Sequence, residues 1–115
     1  MTDITPYLNR LDILNETALQ IIKDFGINGH EIKFSGNKEG AYQELFSQIL
    51  PIVEKLQKEN FRNFYNLMYR IDISESQIKK AVELAADKSF SEIVTDLTLK
   101  RELLKVVTRK KLSSK

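Results

Sequence analysis

The only histidine of the chain, His30, stands beside Glu31 in a glycine-bracketed stretch, Asn28 to Asn37 (NGHEIKFSGN). An imidazole next to a carboxylate could bind a metal or move a proton, but either task needs further groups aimed at the same point. No second histidine and no cysteine exist to supply them. The carboxylates Glu44, Glu54, Asp72 and Asp96 are scattered with lysines among them and lack the Glu-x-x-His pairs of di-iron bundles. Only folding could bring two of them together. There is no HExxH or GxSxG, and Gly29 and Gly36 form neither GxGxxG nor GxxxxGK, so turn chemistry accounts for them. We expect His30 to be structural or solvent-exposed. No catalytic residue, metal ligand or cofactor is assigned, and the expectation is a non-enzyme.

Two other groups of side chains could recognise a partner. Arg101, Lys105 and Arg109 recur every four residues, with Lys110, Lys111 and Lys115 after them. Residues 1–99 carry 11 basic and 15 acidic side chains, whereas residues 100–115 carry seven and one. Such a stripe could track phosphates by releasing counterions. The competing reading is a solvated helix end, whose cations complement the negative pole of the helix dipole. Against nucleic acid stand a net charge of only +2 and the lack of a stacking strand or a glycine-rich loop. The second group is aromatic. Phe61, Phe64, Tyr65 and Tyr69 fall within nine residues, and Tyr65 and Tyr69 project from a face other than that of Phe64. With Arg62 or Arg70 they could form an interaction hot spot; otherwise the rings cover a neighbouring helix and leave their hydroxyls wet.

At 115 residues with 42% apolar and 30% charged side chains, the chain should form one folded domain, 1–115, around a single core. Absence of cysteine removes disulfides, thiolate metal sites and a thiol nucleophile. The beginning, MTDITPYLNRLD, lacks the basic and apolar regions of a secretory signal, and no stretch is long and apolar enough to span a membrane. A cytoplasmic location is therefore expected.

The elements that must position these groups read as helices, giving an all-α bundle of about five. Thr5 and Pro6 suit the cap and first residue of a helix over 6–25. Its stripe is Tyr7, Leu11, Leu14, Ala18, Ile21, Ile22 and Phe25, widened by Leu8 and Leu19, and Gly26 is the expected stop. A ten-residue connection follows, with Phe34 plugging the end of the bundle. A second helix over 38–58 keeps its apolar phase through Pro51, so a kink with Pro51 outside is expected and not a break. The same phase continues to Ile71, but a break near Asn60 suits a domain of this size better, giving a third helix over 61–72. Asp72 could pair with Arg70 or Lys79. Ser74 with Gln77, and Ser89 with Glu92, have capping-box spacing and start helices over 75–86 and 90–110. The inward face of the 75–86 helix is Ile78, Ala81, Val82 and Ala85. In the last helix Phe90, Ile93, Leu97, Leu104 and Val107 form an arc that Leu99, Leu103 and Val106 widen. Either it packs between two neighbours or its C-terminal half meets another chain, and Leu99, Leu103, Val106, Tyr65 and Tyr69 are the candidate protein interface. A helix-turn-helix over 77–97 fits less well, because the turn glycine is missing and Ser91 stands where an apolar residue is wanted.

The segments Tyr69-Arg70-Ile71-Asp72-Ile73, leading into a capped helix, and Leu97-Thr98-Leu99-Lys100-Arg101-Glu102-Leu103 resemble a group of small uncharacterised all-helical bacterial proteins. The resemblance covers roughly the C-terminal half and implies a helical fold, with no activity, cofactor or binding residue attached. Function is accordingly expected to be non-catalytic: a protein-binding or structural domain that self-associates through its last helix. The alternative is weak binding of nucleic acid or an acidic surface through Arg101, Lys105, Arg109, Lys110 and Lys111.

Overall fold

Serine and asparagine caps cut the apolar pattern into helices at the expected places. The computed structural model describes Tyr7 and residues 10–113, with side chains through Lys111. Five helices follow one another, α1 (Leu11–Ile27), α2 (Ala41–Glu59), α3 (Phe61–Ile71), α4 (Glu75–Leu84) and α5 (Phe90–Ser113), with no strand among the described residues. The Cα radius of gyration of 13.9 Å is that of a compact chain of this length, about 13 Å.

The expected Thr5–Pro6 start lies outside the described residues. Among those described, α1 begins later than residue 6 because Arg10 is extended, with φ −99° and ψ 110°. Its guanidinium clamps the first-turn carboxylate of Asp12 at 2.8 Å. Gly26 does not end this helix. The chain continues to Ile27, and Gly29, at φ 82°, takes the left-handed position instead. The amide of His30 then donates to the Phe25 carbonyl at 2.9 Å and that of Gly29 to Gly26 at 3.0 Å, the paired bonds of a Schellman cap. His30 thus serves the helix end through its backbone. Its imidazole is half-buried, and that burial, with Lys55 nearby, lowers its pKa.

The connection to α2 is tied down by side chains of α2. Gln48 accepts from the Lys33 amide at 2.9 Å and donates to the Lys33 carbonyl at 2.7 Å. Glu44 accepts from the amide and the hydroxyl of Ser35, each at 2.8 Å. Ile32 is buried and Phe34 packs on the core. The second helix starts at Ala41 and not at residue 38, because Gly40 is left-handed. It runs unbroken through Pro51, whose ring faces solvent. Asn60 breaks the phase that would have fused α2 with α3, and its side chain caps α3 by accepting from the Asn63 amide at 3.2 Å.

Both capping boxes are present: Ser74 with Gln77 and Ser89 with Glu92. The fourth helix ends at Leu84, two residues before the expected 86, because Ala85 leaves helical geometry. Only Ile78 of its expected inward face is fully buried; Ala81, Val82 and Ala85 are half-covered. Ser91 is buried and donates to Gln57 of α2 at 2.8 Å, a bundle contact.

The main core gathers Ile21, Phe25, Ile49, Val53, Phe64, Leu67, Met68, Ile71 and Val94, all essentially inaccessible. The last helix, described to Ser113 and so three residues beyond the expected end, packs between α1 and α2 and also meets α3 and α4. This corrects the expected interface. Leu99, Leu103 and Val106 are 6%, 4% and 0% exposed, so no outer face of α5 is built from them. The cover comes from a second face of α1 that its main stripe does not predict. Ile13, fully buried, joins Leu103, Val106 and Val107 in a separate cluster on which Tyr7 also packs. Leu11 and Leu19 of the expected stripe region remain exposed.

Candidate functional site

Three surfaces or seams hold the chemistry of this bundle. The first lies between α1 and α5, which run in opposite directions. Lys110 reaches Asp12 and Glu16 at 3.5 Å each. Arg109 donates to Gln20 at 2.8 Å. Lys105 contacts Asp24 at 3.5 Å and Glu102 at 3.0 Å, and the Lys111 ammonium lies 5.9 Å from the centre of the Tyr7 ring. Arg101 turns the other way and pairs with Asp72 at the end of α3. The basic stripe therefore spends its charge on holding α5 to its neighbours.

Glu102 lies deepest in this seam and is 0% exposed. The ammonium of Lys105 is close to Oε1 but off the line of a hydrogen bond, so an ionised Glu102 has no hydrogen-bond donor among the described residues. Protonated, it donates to Asp24. Burial, assisted by that bond and opposed by Lys105, pushes its pKa up to about 8. Asp24 is itself buried and accepts from Gln20 at 3.1 Å. The sequence hid this pair. Asp24 and Glu102 are 78 positions apart, and Glu102 is the only acid in a basic segment. No group of three His, Cys, Asp or Glu side chains among the described residues converges as a metal site would require.

The second feature is the outer face of α3. Phe61, Tyr65 and Tyr69 are one turn apart and 48%, 42% and 87% exposed. Phe61 and Tyr65 lean on each other, with ring centres 5.1 Å apart, and both contact Phe64. Phe64 in turn is buried against Phe90 at 5.9 Å. So these two rings partly roof the core from within their own helix, whereas the expectation was that Tyr65 and Tyr69 would cover a neighbouring one. Tyr69 does not: it makes no ring contact among the described residues. Arg62 and Arg70 are exposed on the same helix, which has no acidic residue.

The third is an apolar hollow between α1, the start of α2 and α5, into which Leu99 and Leu103 project from the core. Beside it the Tyr42 hydroxyl donates to Asp96, and burial together with that bond raises the Tyr42 pKa. Among the described residues no helix is long and apolar enough to cross a membrane. Comparison of the chain with protein-family models, with curated proteins and with solved structures finds no match.

Proposed function

We propose that this chain is a non-catalytic protein-binding domain, a rigid five-helix bundle that presents the aromatic face of α3 to an acidic, partly apolar segment of another protein. The observation that carries this reading is Tyr69, 87% exposed in line with Phe61 and Tyr65. An aromatic row costs little conformational entropy to immobilise, and with arginine it is the composition in which binding energy concentrates. Arg62 and Arg70, with no acid on the helix, set the charge of the partner. Self-association through α5 forms no part of the proposal, because the side chains that suggested it are used within the chain. Nor does the basic stripe carry a nucleic-acid reading, since its cations contact Asp12, Glu16, Gln20, Asp24, Asp72 and Glu102. The cysteine-free composition suits a reducing compartment, and the cytoplasm is the proposed location.

A photoreactive phenylalanine placed at position 69 in cells of the source organism tests this. A discrete adduct that forms from position 69, fails to form from the exposed apolar position 19 and is lost on Tyr65→Ser is the expected result. Equal labelling from both positions, or none from position 69, overturns the reading.

A further inference from the structure

The hollow beside α2 is partly open to solvent and has a volume of about 350 Å³, within the range of sites that hold small ligands, roughly 300–1,000 Å³. Its floor is Leu14 of α1, Ala41 and Leu45 of α2, and Leu99 and Leu103 of α5. Thr17 also lines it, but its hydroxyl is already spent on the Ile13 carbonyl at 2.8 Å. The mouth differs in character. Lys38 and Lys100 stand there, and no acid lines the hollow. Lys100 is held at 2.7 Å by Asp96, which the Tyr42 hydroxyl also engages. Lys38 is exposed and has no ion-pair partner among the described residues. The second helix opens at the same mouth with no side chain capping its first turn, so the positive pole of its dipole, partly offset by Glu44 in that turn, adds to the Lys38 ammonium.

An apolar floor under a cationic rim complements a molecule with a hydrocarbon tail and a negative head. The geometry points to a binding site for a single-chain anionic amphiphile, a free medium-chain carboxylate, with its tail against Leu45, Leu99 and Leu103 and its head between Lys38 and Lys100. A cationic amphiphile would meet the Lys38 ammonium at the entrance, beside the Lys100–Asp96 pair, and a neutral one would gain nothing from the lysines. The site uses other elements than the aromatic face of α3 and stands whether or not that face binds protein.

Methyl NMR on leucine-labelled protein tests the inference, with octanoate, decanoate, dodecanoate, dodecanol and dodecyltrimethylammonium added below their micellar concentrations. Saturable shifts are expected at the methyls of Leu14, Leu45, Leu99 and Leu103 and not at the exposed Leu19 and Leu84. Affinity should rise about threefold to fourfold per added methylene along the carboxylate series. The double variant Lys38→Glu, Lys100→Gln changes two exposed side chains, and its fold is checked by the same spectra. It should weaken dodecanoate about fivefold or more and leave dodecanol unchanged. Absence of saturable shifts, shifts centred on Leu19 or Leu84, ammonium binding as tight as carboxylate binding, or a double variant that binds dodecanoate like the parent would each overturn the proposal.

Discussion

A carboxyl group withdrawn from water at the α1/α5 seam alters which of its protonation states folding favours. Glu102 is 0% exposed, and burial first, then the bond to Asp24, lifts its pKa from 4.5 to about 8, with Lys105 acting against both. Between these two values the unfolded chain has released the proton and the folded chain still holds it. The stability that this group contributes is therefore fully present below pH 4.5 and is lost as pH rises through about 8, a swing on the order of 5 kcal/mol. Replacing Glu102 by Gln keeps the volume and removes the titration. Chemical denaturation at pH 5, 6.5 and 8.5 should show the parent losing stability across the series, and E102Q staying nearly level and exceeding the parent at pH 8.5. Parallel curves for the two proteins would mean that Glu102 is not titrating in the seam. Nothing in the sequence marks this residue out, because spacing within α5 reports only which residues share a face. It does not report that α1 carries a second buried face with Asp24 on it.

Helix ends show how far local pattern reaches. The serine caps before α4 and α5 were legible, since a capping box is closed by side chains three residues apart and depends on nothing distant. The break at Asn60 was read from the size of the domain, and the structure adds the local reason, an asparagine side chain that accepts from the Asn63 amide. The C-terminal ends were less legible. Gly26 and Gly29 are both candidates for the left-handed residue, and which is used depends on where Ile32 and Phe34 must land in the core. Asp72 is the sharper case. Among the described residues it is the one non-glycine at positive φ, 72°, and it closes α3 with the amide of Ile73 on Met68 at 2.9 Å and its own on Tyr69 at 3.1 Å. Its partner is Arg101, 29 positions on, and not the local Arg70 or Lys79 that spacing suggested. A left-handed conformation costs an ordinary residue about 1–2 kcal/mol, aspartate less and glycine least. Both Asp72→Gly and Asp72→Ala lose the Arg101 pair, so their difference isolates the backbone. The glycine variant should be the more stable by about 1 kcal/mol in urea titrations, and equal stabilities would show that the turn relaxes when α3 is cut loose from α5.

At the scale of the whole molecule, the arrangement turns on α5 having neighbours on several sides. Its apolar arc is too broad for one contact, which the sequence showed plainly; that the excess width is covered by α1 and not by a second copy was not visible, because Ile13 lies off the main stripe of α1. Three roles meet along α5 in consequence. Leu99 joins the main core, Leu103 and Val106 join the cluster around Ile13, and Glu102 lies between them facing Asp24. This makes Leu103 the residue at which an oligomer interface and an interior predict opposite results. If it were an outward contact, truncation to alanine would shift association with concentration and leave the subunit intact. As an interior residue at 4% exposure, Leu103→Ala removes buried methyl groups and leaves a cavity next to the existing hollow, costing about 2–5 kcal/mol. Denaturant unfolding should register that loss, while sedimentation at the same concentrations gives the parent and the variant the same mass. A variant of unchanged stability but smaller assembled mass would return α5 to the surface and undo the account of how this bundle is closed.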